Sequence, residues 1–124
     1  DGIRDIGVTR VQTCALPIYL IYHELAHGLW FSSPQYKNKQ LSNINNLDET
    51  TYDSLKSKVK KMGYGDNVVD DEIQAYLSTG IEYPMTAIKN IKKSQIPFKL
   101  VFDDYKKNIK ANEIPIEWSV DLNV

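Results

Sequence analysis

Cysteine is all but absent from this chain: 124 residues contain one, Cys14. An internal disulfide framework and a Cys-rich metal site are both excluded. An excess of charge of one sign is lacking too. Fifteen Lys and Arg face sixteen Asp and Glu, for a formal net charge of −1. That balance offers no footprint for nucleic acid and no attraction to an anionic membrane. The lysines within 56–61, 89–93 and 106–110 read as solvated helix faces. No apolar run approaches the ~20 residues of a membrane span. Histidine is nearly as rare as cysteine, with only His23 and His27. With 42% hydrophobic and 25% charged residues, the chain has the composition of one globular domain with a modest core.

The two histidines stand in Tyr22-His23-Glu24-Leu25-Ala26-His27-Gly28-Leu29-Trp30. This is the His-Glu-x-x-His pattern, which places two imidazoles one helical turn apart with a carboxylate beside the first. At roughly 100° per residue the two rings fall about 40° apart on a helix, so both can reach one metal ion. Leu20, Ile21, Tyr22, Leu25, Ala26, Leu29, Trp30 and Phe31 make that helix apolar on nearly every side, the pattern of a helix buried in a core. His23, Glu24 and His27 share one narrow sector of it. Burying unpaired ionisable groups costs several kcal/mol, and a zinc ion would compensate them. The alternative is a buried helix whose His and Glu are merely hydrogen-bonded.

Catalytic zinc usually takes three protein ligands and keeps a fourth position for water. With no third histidine, and with Trp30 and Ser33 where a metzincin would carry Gly and His, the third ligand is expected to be Asp, Glu or, less usually, a residue of the natural sequence that residues 1–18 replace. Glu49 opens a helix at a suitable distance from His27 but sits at the edge of that helix's apolar stripe, and a role in the first turn explains it equally. Glu72 falls among Val68, Val69, Ala75 and Tyr76, whereas Asp70, Asp71, Gln74 and Ser78 share the polar face. An inward carboxylate needs a partner, so Glu72 is preferred. The helix dipole offers a competing reason for acid there. Asp71 has the chemistry to orient a histidine, but its place on the polar face predicts exposure to solvent.

Along the chain, the periodicity predicts helices over about 19–31, 34–47, 49–62, 68–79, 85–93 and 97–110. Ser33 with Pro34, Asp48, Gly63, Gly80 and Pro97 act as start and stop signals. Residues 63–67 read as a loop and 81–84 as an extended connection. The alternating tail over 114–122 is a candidate strand.

The motif Tyr22 to Leu29, followed by Asp71-Glu72-Ile73-Gln74-Ala75-Tyr76 on a later helix, resembles the gluzincin branch of zinc metallopeptidases. Uncharged Ile21, Leu25, Ala26 and Gly28 fill the remaining motif positions, as in that branch. The resemblance covers about residues 20–77. It implies zinc bound by His23, His27 and Glu72 and hydrolysis of a peptide or protein substrate. Glu24 is then the general base. A donor to the developing oxyanion is expected, with Tyr76 preferred over Tyr83 and Tyr64, although each tyrosine reads equally as a core aromatic. The alternative function is a non-catalytic zinc-binding or helical interaction domain. The fold expected is mainly α, the helical part of a zincin-like α+β metallopeptidase domain over residues 19–124, without the β-sheet that normally precedes the active-site helix.

Residues 1–18, DGIRDIGVTRVQTCALPI, resemble something else: the conceptual translation of a short-read sequencing adapter with its index. They depart from it only at Arg10, where that translation has Gly. The expectation is that this segment is an assembly artefact in place of natural sequence. Asp1 and Asp5 offset Arg4 and Arg10, so the net charge does not depend on it.

Overall fold

The computed structural model of this chain describes residues 18–109, with side chains from Leu20 onward. Five α-helices and no strand occur among the described residues, in keeping with the mainly α expectation: α1 Ile18–Ser32, α2 Pro34–Asn45, α3 Glu49–Lys61, α4 Val69–Thr79 and α5 Ile91–Lys106. Two short 3-10 turns, Asp66–Val68 and Met85–Ala87, flank α4. The segment over 1–17 and the tail over 114–122 lie outside the described residues.

Local chemistry sets the corners. Ser33 alone separates α1 from α2. Its extended backbone turns the chain, its Oγ accepts from the Tyr36 N–H at 3.1 Å, and Pro34 occupies the first helical position, where its missing N–H costs nothing. Asp48 stands at the N-cap of α3 without making a side-chain cap bond. At the other end Gly63 adopts φ +104, a left-handed conformation that a Cβ would strain. Its N–H donates to Lys60 O at 3.0 Å.

The C-terminal half departs from the sequence pattern. Where helices over 85–93 and 97–110 were predicted with Pro97 opening the second, Met85–Ala87 forms only a 3-10 turn and one helix runs through Pro97. Ile91, Gln95, Phe98 and Phe102 are all buried. They follow one i, i+4, i+7, i+11 stripe, and Pro97 lies on the exposed side. Burial of that continuous stripe outweighs the single backbone bond that proline forgoes.

Helix α4 occupies the centre, packed against α1, α2, α3 and α5. Ile73, Gln74, Ala75 and Leu77 are fully buried there, close to Tyr36, Leu55, Val59, Phe98 and Phe102 of the surrounding helices. Two expectations are corrected by this arrangement. The supposed polar face of α4 is not solvated: Asp71, Gln74 and Ser78 are buried, and only Asp70 is partly open. Neighbouring helices surround α4 and supply hydrogen-bond partners, which makes burial of those side chains tolerable. Conversely, α1 is not buried on every side. Ala26, Gly28, Leu29 and Trp30 face inward, while Leu20 and Glu24 are exposed and Phe31 is 81% exposed.

Candidate metal centre

Helical spacing puts His23 and His27 on the side of α1 that meets α4, their ring centroids 4.7 Å apart and their Nε2 atoms 3.1 Å apart. Glu72, in the first turn of α4, reaches across. Its Oε2 lies 3.1 Å from His27 Nε2 and its Oε1 3.5 Å from His23 Nε2. One nitrogen or oxygen from each of the three residues lies within 4.8 Å of the others. Two ligands bound at about 2.0–2.1 Å to a tetrahedral zinc sit about 3.3 Å apart, so the spacing suits one such ion.

The proton inventory argues in the same direction. His27 Nδ1 lies 2.9 Å from Asp71 Oδ1. A carboxylate accepts, so Nδ1 is the donor and a neutral His27 carries its lone pair on Nε2. That lone pair faces a second imidazole nitrogen and the Glu72 carboxylate. Glu72 Oε1 is buried and makes no hydrogen bond. Acceptors converging in a buried space need a cation among them, either a proton or a metal ion. The same crowding favours a shared proton when no metal is bound. Burial alone would lower the pKa of His27, but hydrogen bonds to Asp71 and Glu72 and their charges push it up to about 10. Burial would raise that of Glu72, yet the close approach of the His23 and His27 rings, and their charge when protonated, hold it down at about 2. The donor set of two imidazoles and one carboxylate is the kind that holds a catalytic zinc with an open position.

Comparison with protein-family models, curated proteins and solved structures finds no match. The chemistry of the site therefore rests on its own geometry.

Around the three candidate ligands the placement is mixed. Glu24 is exposed on α1 beside His23, and Glu49 is exposed at the start of α3, outside the cluster. The Tyr76 ring packs against His23 at 4.6 Å between centroids, and its hydroxyl donates to Glu82 Oε1 at 3.5 Å. Burial, followed by the charge of Glu82, raises the Tyr76 pKa. Tyr64 is half-buried and near enough to Glu72 and Tyr76 for both to influence its hydroxyl, whereas Tyr83 is 81% exposed. A pocket of about 340 Å³, lined by Leu20, His23, Tyr76, Gly80, Ile81 and Glu82, opens directly against His23.

Asp71 is the residue sequence reasoning misplaced. It is buried, not exposed, and it holds the ring of His27. Gln74 and Tyr36, which the motif gave no reason to single out, stand directly behind it. A legible signal existed in Gln40, a polar residue on the inward stripe of α2, which implied a buried polar partner.

Proposed function

We propose that this chain is a zinc-dependent metallopeptidase of the gluzincin type, with His23, His27 and Glu72 as its metal ligands. The five helices are then the helical portion of a zincin-like α+β domain. The observation that carries the reading is the convergence of the two Nε2 atoms and the Glu72 carboxylate at 3.1–3.5 Å, with Glu72 Oε1 buried and unpaired.

Zinc held there would supply Lewis acidity, lowering the pKa of water towards about 7 and polarising a peptide carbonyl. The protein's own groups supply the rest. A peptide or protein substrate lies across the pocket beside His23. Glu24, adjacent to His23 and open to solvent, takes the proton of the attacking water and returns it to the leaving amine. The Tyr76 hydroxyl, carried on a ring packed against His23, is the donor to the oxyanion. Asp71 keeps the Nδ1 proton of His27 in place, so that Nε2 faces the site.

The test combines zinc stoichiometry with cleavage of a peptide library by the full-length protein and its Glu24→Gln variant. One zinc per chain in both proteins, with hydrolysis abolished in the variant, is expected. A chain that takes up no zinc, or hydrolysis that survives the substitution, defeats the reading. Stoichiometric zinc without hydrolysis in the parent leaves a metal-binding domain and no peptidase.

A further inference from the structure

A line of hydrogen bonds runs from His27 through the interior to Asn43, at the partly exposed edge of α2. Asn43 Nδ2 donates to Gln40 Oε1 at 3.0 Å. Gln40 Nε2 donates to Tyr36 Oη at 3.1 Å, with Ser78 Oγ and Phe98 O as further acceptors at 3.1 and 3.2 Å. The Tyr36 hydroxyl donates to Gln74 Oε1 at 2.8 Å, and Gln74 Nε2 donates to both Asp71 Oδ1 at 3.0 Å and Ala26 O at 3.1 Å. Gln40, Tyr36 and Gln74 are fully buried, so no water competes for these groups.

The direction of this line matters more than its length. Both hydrogens of the Gln74 amide are committed, one to a carboxylate and one to a backbone carbonyl, and neither partner can donate in return. Turning the amide over would set Gln74 Oε1 against Asp71 Oδ1 and Ala26 O, two acceptor–acceptor contacts in a buried space. The Tyr36 hydroxyl secures the other end, because it accepts from Gln40 and has its own proton to give to Gln74. Tyr36 is itself held edge-on by Tyr105, with ring centroids 5.3 Å apart. Gln74 therefore has one workable orientation. In that orientation Asp71 Oδ1 meets N–H groups from Gln74 and from His27 Nδ1.

We propose that Gln74, oriented by Tyr36 and Gln40, is a positioning residue that fixes the Asp71 carboxylate and through it holds His27 with Nε2 presented to a metal ion. Gln74 touches neither substrate nor metal ligand. It acts through Asp71, and its second bond to Ala26 O ties α4 to α1 one residue before His27. The inference rests on the metal-binding part of the proposed function and is independent of peptide cleavage.

The test is the affinity of the full chain for Zn²⁺, by competition with a chromophoric chelator. The proteins compared are the parent, Gln74→Met, Tyr36→Phe, the double variant and Gln95→Met. Gln95 is another buried glutamine, whose Nε2 donates to Leu77 O at 3.3 Å, so it controls for the general cost of losing such a bond. Gln74→Met should weaken zinc binding by about 5–10-fold, less than the 10–100-fold of removing a group bonded directly to a ligand, because it acts through Asp71. Tyr36→Phe should weaken it about 3-fold alone and add little to Gln74→Met, since it acts through the same amide. Gln95→Met should lower the melting temperature and leave zinc affinity unchanged. In ¹⁵N-histidine spectra of the zinc-loaded parent, His27 should coordinate through Nε2 and keep a slowly exchanging Nδ1–H, which exchanges faster in Tyr36→Phe. The proposal is overturned if a folded Gln74→Met binds zinc within about twofold of the parent, or if Gln95→Met loses as much affinity. Should Gln74→Met fail to fold, unchanged affinity in Tyr36→Phe overturns it equally. A parent that binds no zinc removes this proposal together with the metal site. A parent that binds zinc but cleaves nothing refutes the peptidase reading and leaves this one standing.

Discussion

Raising the pH should destabilise the chelator-treated protein, and zinc should reverse the effect. His27 lies between Asp71 and Glu72, and its pKa is pushed from 6.5 up to about 10 because those two carboxylates outweigh the opposing effect of burial. A group whose pKa is higher in the folded state stabilises the fold fully below its unfolded value, and that stabilisation is lost as pH rises through the folded value. For His27 the loss runs from pH 6.5 towards about 10. Glu72 acts in the opposite sense. Held at about 2 against a usual 4.5, it stabilises above pH 4.5, and that contribution is lost as pH falls towards 2. The His27–Glu72 attraction appears in both shifts and is counted once, so this site contributes most to the metal-free fold between about pH 4.5 and 6.5. At about 1.4 kcal/mol per pH unit, going from about pH 6.5 to about pH 9 removes about 3 kcal/mol. In a domain near 100 residues each kcal/mol moves Tm by roughly 4–8 °C, so Tm in chelator should fall by more than about 10 °C. Zinc competes with the same proton and needs the neutral imidazole. With saturating zinc, Tm should therefore hold or rise over that range, and the gap between the two curves should widen with pH. Circular-dichroism melts across the series, with and without zinc, measure both. Glu72→Gln should remove the acid-side loss and reduce, without abolishing, the alkaline one, because Asp71, the larger of the two carboxylate effects on His27, remains. A metal-free Tm constant to within about 2 °C, or one that falls equally with zinc present, would refute the electrostatic account of the site.

The other expectations concern single positions. Glu72→Gln should weaken zinc binding by more than the 10–100-fold typical of an outer-shell change, while Glu49→Gln should leave it unchanged; equal losses by chelator competition would reopen the choice of third ligand. Tyr76→Phe should lower kcat for peptide cleavage about 10²–10³-fold with little change in KM if its hydroxyl meets the oxyanion, and full activity would leave Tyr76 only its packing against His23. Pro97→Ala should raise stability by about 1–3 kcal/mol in urea unfolding by restoring a helix hydrogen bond on the exposed side of α5. A loss of stability there would show that the helix depends on the proline.

Much of the outline was legible from short-range patterns. Ser33-Pro34 marked the corner between α1 and α2, Gly63 the end of α3 and Gly80 the end of α4, because each rests on backbone chemistry within a few residues. Pro97 misled for the complementary reason. Its local cost is real, but the buried line from Ile91 to Phe102 exceeds it, and that line is favourable only when α5 packs against the rest of the core.

The site divides along the same boundary. By itself the sequence determined that His23 and His27 share a helix face, since 3.6 residues per turn leaves a pair four apart no other arrangement, and that Glu72 points inward; it did not show that Asp71 beside it is buried as well. Only the tertiary structure decided what surrounds them. Enclosure of α4 by four helices turned Asp71, Gln74 and Ser78 from a predicted solvent face into buried hydrogen-bonding groups. It also brought Tyr36 and Gln40 against Gln74 and Ser78, from which each is 38 residues away along the chain. A helical periodicity can rank the polarity of faces, but the partners of a polar side chain come from other segments. Whether Asp71 meets water or an imidazole depends on which segment folds against it.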